Sequence, residues 1–146
     1  MKKFIRCLCA ILACSLLLAA PAQAAESVEP RASAFFSSYG TDLEKISTSS
    51  FRIWFDVVAN AATMDVLGVS EIAVYRSANQ SYWMKMLTYT MDDYPEMVDQ
   101  NTTSHDGYVT YNNTTAGYYY RVRITFYAKN STGIGELDVY TEILRM

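Results

Sequence analysis

Cysteine is nearly missing from this chain of 146 residues, and the three present, Cys7, Cys9 and Cys14, all fall within the first fourteen positions. Beyond Cys14 no disulfide, thiolate nucleophile or cysteine metal site can be built. Histidine is scarcer still: His105 stands alone, which excludes a multi-histidine metal site within one chain. Basic residues are in the minority, twelve Lys and Arg against fifteen Asp and Glu, for a formal net charge of −3. Such a balance suits nucleic acid poorly, because phosphates attract a basic stripe. Helix-period patterning is also absent after residue 24, and no later stretch is apolar enough to span a bilayer.

What is present begins with a leader. Met1–Arg6 is short and positive, Cys7–Ala20 is an uninterrupted apolar run, and Pro21 breaks it before the small-x-small site Ala22-Gln23-Ala24. That order predicts a secretory signal peptide over 1–24 with cleavage before Ala25. The apolar run is shorter than the roughly 20 residues a spanning helix needs. An acylated Cys14 after Ile11-Leu12-Ala13 is the lipoprotein alternative, but it would strand Leu16–Ala20 on the mature end. Cleavage removes Lys2, Lys3 and Arg6, leaving nine basic against fifteen acidic groups, net −6, and no cysteine. A flexible segment is expected over 25–33, followed by one domain over 34–146, a length that supports a single core.

That domain holds all twelve tyrosines, both tryptophans and five of the six phenylalanines, amid abundant Ser, Thr and Asn. The mix favours strands and turns. Ala34–Tyr39 reads as an edge strand. In Ser50–Ala59, Phe51, Ile53, Phe55 and Val57 alternate with Arg52, Trp54, Asp56 and Val58, the period of a half-buried strand. Asn60–Ser70 reads as a helical turn or packed loop closed by Gly68. Glu71–Arg76 and Tyr82–Thr90 form a hairpin across the turn Ser77–Ser81. Met91–Asp106 reads as irregular, since Pro95 forbids a central strand. Gly107–Asn112 and Tyr118–Lys129 are strands, the latter with Tyr120, Val122, Ile124 and Phe126 inward and Tyr119, Arg121, Arg123, Thr125 and Tyr127 outward. After a turn over 130–135, Glu136–Leu144 closes the chain. Opposite charges on this last pair predict Lys129 opposite Glu136 and Arg123 opposite Glu142, with Thr125 facing Tyr140, Tyr127 facing Asp138, Ile124 facing Thr141 and Phe126 facing Val139. Strands without intervening helices predict an all-β, antiparallel β-sandwich.

Tyr120-Arg121-Val122-Arg123-Ile124, Ala128-Lys129-Asn130 and Gly133-Ile134-Gly135-Glu136 resemble the last hairpin of an immunoglobulin or fibronectin type III-like domain. The departure is a longer penultimate strand. Trp54-Phe55-Asp56-Val57, Thr63-Met64-Asp65-Val66-Leu67-Gly68, Val74-Tyr75, Ser81-Tyr82-Trp83 and Gly117-Tyr118-Tyr119 resemble a family of short exported proteins of Gram-positive bacteria. That resemblance implies a fold but no activity, substrate or catalytic residue.

Candidate chemistry is thin. Ser104-His105-Asp106 has the residue types of a hydrolase triad, but sequence neighbours point apart, and no Gly-x-Ser-x-Gly elbow exists. Asp92, Asp93, Glu96 and Asp99 could offer oxygens to calcium, though without the spacing of a calcium loop; a solvated acidic loop is the better reading. No cofactor or other metal site is indicated. Trp54, Tyr119, Tyr127 and Tyr140 fall on outward positions, where flat rings can hold a sugar or a protein; cross-strand packing also favours tyrosine there. Trp83 suits the interior tryptophan that sandwiches use. The expectation is a secreted or cell-surface, non-enzymatic module that binds a glycan, cell-wall polymer or protein through an aromatic sheet face. Alternatives are a small secreted hydrolase or an assembly subunit joined through edge strands.

Overall fold

Alternating apolar side chains make each strand one-sided, and two such sheets can hide their apolar faces only against each other. The structure, a computed structural model, describes residues 34–60 and 63–146. The leader and the segment 25–33 lie outside the described residues. Among the described residues nine strands form two antiparallel sheets: β1 (Phe36–Lys45), β2 (Phe51–Ala59), β3 (Met64–Ser77), β4 (Met84–Thr90), β5 (Val98–Thr102), β6 (Ser104–Tyr111), β7 (Tyr119–Asn130), β8 (Gly133–Tyr140) and β9 (Leu144–Arg145). Sheet A has the order β1-β2-β6; sheet B has the order β4-β3-β7-β8, with β5 on β3 and β9 on β7. Among the described residues no helix is long and apolar enough to cross a membrane.

The core lies between the sheets. Phe51, Ile53, Phe55 and Val57 of β2 are buried, as are Ile72 and Val74 of β3 and Tyr120, Val122, Ile124 and Phe126 of β7. Tyr39 of β1 meets Phe126 at 5.4 Å between ring centroids, and Phe51 meets Tyr120 at 5.5 Å. The inward and outward assignments made for β2 and β7 therefore hold. Tyr120 also spends its hydroxyl locally, accepting the Thr115 N–H at 2.8 Å across the connection from sheet A to sheet B.

Three expectations need correction. Where a turn was expected over 60–70, β3 runs unbroken from Met64 to Ser77. Gly68 does not end an element. It has φ +152°, and a Cβ there would collide with the Met97 carbonyl oxygen and come within 2.7 Å of Val98 Cα. The glycine lets the chain entering β5 come close beside β3, where Gly68 pairs with Val98. Met91–Asp106 is also more regular than expected. Pro95 opens a 3-10 turn, Pro95–Met97, where its missing N–H costs nothing, and buried Met97 anchors the chain before β5 starts.

The third correction concerns the last hairpin. β7 and β8 do pair, but Asn130 sits opposite Gly133, Tyr127 opposite Glu136, Phe126 opposite Leu137, Thr125 opposite Asp138, Ile124 opposite Val139 and Arg123 opposite Tyr140. This is two residues tighter than expected. Asn130 Oδ1 accepts both the Thr132 N–H at 2.8 Å and its hydroxyl at 2.6 Å, which closes the loop over Ser131 and Thr132. A two-residue shift preserves every face, because side chains alternate with period two. It changes the charge partners: Thr125 Oγ1 donates to Asp138 at 2.6 Å, and Arg123 finds Glu71 on β3 and Asp138 at 3.5 Å.

Candidate functional site

The outer face of sheet B gathers side chains from four segments around Arg121. β3 supplies Tyr75, which pairs directly with Arg121 of β7, and β8 supplies Tyr140. The fourth is Trp83, placed by the turn before β4. Ser77 Oγ accepts the Asn79 and Gln80 N–H groups at 3.3 and 2.8 Å, and Asn79 Oδ1 accepts the Ser81 N–H at 3.0 Å. Gln80 takes φ +64°, and its carbonyl accepts the Trp83 indole N–H at 3.1 Å. Held this way, the indole lies against the outer face and not in the interior, correcting the expectation for Trp83.

The Arg121 guanidinium carbon lies 4.3 Å from the Trp83 ring centroid, 5.0 Å from Tyr140 and 6.0 Å from Tyr75. Each such contact contributes about 0.5–1 kcal/mol when exposed. Tyr140 remains 52% exposed, so the cluster is open to solvent. Beside it, Ala73 pairs with Arg123 and Thr88 and is fully buried, yet it stands outside the interior cluster; outer-face side chains cover it. Arg123 is charge-balanced by Glu71 and Asp138, and the Glu71 hydrogen bond raises its already high pKa further.

Sheet A presents a second aromatic face. Trp54 and Tyr108, paired between β2 and β6, have ring centroids 4.7 Å apart. Arg52 stacks over Tyr108 at 4.9 Å and Trp54 at 5.8 Å. Glu44 of β1 closes the arrangement, accepting from the Trp54 indole at 2.9 Å and Arg52 at 3.2 Å. The indole hydrogen bond, followed by the Arg52 charge and hydrogen bond, holds the Glu44 carboxyl below its ordinary range despite the opposing effect of desolvation.

The four aromatic candidates from the sequence are thus divided. Trp54 faces outward from sheet A, whereas Tyr119, Tyr127 and Tyr140 belong to sheet B. Tyr119 stacks with Arg145 at 5.5 Å. Tyr127 lies eight residues along β7 from Tyr119, roughly 26 Å at strand rise, so the two cannot touch one sugar ring together. The sequence identified Tyr140 but missed Tyr75, Trp83 and Arg121. The available signal was Arg121 on the outward face of the best-defined strand.

Other candidates do not converge. Among the described residues no group of three or more His, Cys, Asp or Glu is placed to hold a metal ion. Asp93 accepts from Thr90 Oγ1 at 3.0 Å, and Asp99 from the Gln100 N–H at 2.8 Å. His105 Nε2 lies 3.2 Å from the Glu96 carbonyl oxygen, and its ring packs on Phe55 at 5.8 Å. A cleft of about 460 Å³ separates β4 from β6, lined by Leu87, Tyr89, Tyr94, Tyr108 and Tyr111 among others. Tyr89 bridges it, donating its hydroxyl to the Thr110 carbonyl at 3.0 Å. Burial, then the neighbouring Tyr94 and Tyr111, pushes the Tyr89 phenol up to about 12.

No family model matches the chain, and no curated protein does. Among solved structures, the chain is similar to one described as "Crystal structure of protein from Archaeoglobus fulgidus", at 10% identity and TM-score 0.36, covering 76% of this chain and 97% of that one.

Proposed function

We propose that this protein is an exported, non-enzymatic binding module of immunoglobulin or fibronectin III-like type, acting outside the membrane, whose sheet B outer face holds a glycan or cell-wall polymer. Two features support the fold type. The orders β1-β2-β6 and β4-β3-β7-β8 correspond to A-B-E and C′-C-F-G. The Tyr120 hydroxyl reaching back to the Thr115 backbone at the start of β7 has the form of a tyrosine corner. The observation that carries the function is the open cluster of Trp83, Tyr75 and Tyr140 around one arginine. Flat rings held on a rigid sheet offer contact area at little entropic cost, and sugar rings present matching C–H faces. A glycan array and a pull-down on cell-wall polymer test it. Tyr140→Ala should lower binding at least about tenfold with an unchanged melting temperature, the size of loss a contact worth about 1.4 kcal/mol gives. Binding unaffected by Tyr140→Ala and Trp83→Ala would refute the reading.

One observation favours a second reading, assembly through β4. This strand ends sheet B, and Met84 and Leu87 on it are exposed, the apolar edge that strand-to-strand association would use. Light scattering would show a dimer dissociated by Leu87→Lys if this edge joins copies; a monomer at all concentrations would dismiss it.

A further inference from the structure

We infer that the sheet B cluster selects an anionic sugar, a pyranose bearing a carboxylate, with Arg121 as the residue that takes the acid group. The inference rests on the aromatic-face reading above and adds its ligand chemistry. Four arginines bury Nε without a hydrogen-bond partner: Arg52, Arg76, Arg121 and Arg123. Three of them are engaged through terminal nitrogens. Arg52 holds Glu44, Arg76 donates to Thr115 Oγ1 at 3.2 Å, and Arg123 holds Glu71 and Asp138. Among the described residues Arg121 alone of the four has neither an ion pair nor a hydrogen bond at any guanidinium nitrogen.

Two more cations adjoin it in the strand register. Lys85 sits opposite Tyr75 in β4, and Arg145 sits opposite Tyr119 in β9; neither is in an ion pair among the described residues. Glu71 and Asp138, two acids of this face, are taken by Arg123, and among the described residues no acid is in an ion pair with Arg121, Lys85 or Arg145. A protein of formal charge −3 thus keeps a local cationic excess on an aromatic patch. Arginine stacked on rings has its flat faces occupied, while its N–H donors lie in the guanidinium plane and match the two oxygens of a carboxylate. Tyr140, half exposed at the edge of the cluster, supplies free ring surface for the sugar. Acid and ring on one small ligand satisfy both features at once.

The test titrates the purified protein by calorimetry at low salt with three probes: a galacturonate hexamer, the same hexamer methyl-esterified and so neutral, and poly(glycerol phosphate). The expected result is saturable binding of the acidic hexamer, at least about tenfold weaker binding of the ester, and a similar loss in Arg121→Gln, the size expected for one charge-assisted contact. Arg121→Lys, which keeps the charge and loses the fork, should recover only part of the affinity. Arg52→Gln, on sheet A, should bind as wild type. The inference is overturned if the acidic hexamer does not bind, if its binding survives Arg121→Gln, or if only the phosphate polymer binds. Should Arg121→Gln fail to fold, the acid-against-ester comparison on the unaltered protein decides the matter alone. Equal binding of both hexamers, lost in Tyr140→Ala but not in Arg121→Gln, would leave the aromatic reading standing and sink this one.

Discussion

The two outer faces of this sandwich use the same parts to different ends. Each has an arginine stacked on a tryptophan and tyrosine. On sheet A, Arg52 and the Trp54 indole both spend their donors on Glu44, and the cluster is closed electrostatically. On sheet B, the Trp83 indole is satisfied by its own turn, Glu71 and Asp138 go to Arg123, and among the described residues Arg121 has no hydrogen-bond or ion-pair partner. Exposure does not separate them: Tyr108 on sheet A is 48% exposed, close to Tyr140. The difference lies in which donors remain unspent. An aromatic face therefore becomes informative about binding only after its hydrogen bonds and charges have been counted.

The comparison can be broken at three levels. The largest effect belongs to the interior that both faces share. Phe126, fully buried and packed on Tyr39, should cost about 3–5 kcal/mol when cut to Ala, read by denaturant unfolding. Both faces should then lose order together; a cost below about 1 kcal/mol would mean they are not carried on one core.

Next is the tie between the sheets at Tyr89. Its phenol is protonated in the fold up to about 12, against 10.0 for the free group. The folded pKa is the higher one, so the stabilisation is complete below pH 10 and is lost as pH rises from 10 towards 12. The loss is about 2 kcal/mol across that window. Tyr89→Phe should flatten this alkaline limb while costing about 1 kcal/mol at neutral pH for the hydrogen bond to Thr110. An unchanged limb would place its source elsewhere.

The smallest effect sharpens the contrast directly. In Trp54→Phe, Glu44 loses its strongest stabilising partner, and its carboxyl should titrate higher, back towards 4.5, in a carbon-detected NMR titration. Because the folded value is the depressed one, the Glu44 contribution exists above that ordinary range and disappears as pH falls. Arg121→Gln should leave the Glu44 titration where it was. Movement of Glu44 in that variant would show that the two faces are coupled.

Much of the architecture was legible from alternation alone. Phe51 to Val57 and Tyr120 to Phe126 declare their faces because period-two burial leaves one choice. The register of the last hairpin was not legible in the same way. Two registers differing by two residues keep Ile124 and Phe126 inward, and the choice rests on the Asn130 side chain folding back on Thr132. β3 hid behind Gly68, since a glycine that ends an element and one that admits the close approach of a neighbouring strand look alike until Met97 and Val98 are placed. The site was only a quarter visible. Tyr140 could be named as outward, but its neighbours Tyr75, Arg121 and Trp83 come from segments whose adjacency depends on sheet order. Trp83 was further disguised by a turn that delivers it to the outside.

The chain's two tryptophans lie one on each face, which gives a direct test. A ¹⁵N-labelled sample shows two indole N–H resonances, assigned by Trp54→Phe and Trp83→Phe. Titration with the galacturonate hexamer should shift the Trp83 resonance saturably and leave that of Trp54 in place. A shift of Trp54 with Trp83 stationary would contradict the assignment of binding to sheet B.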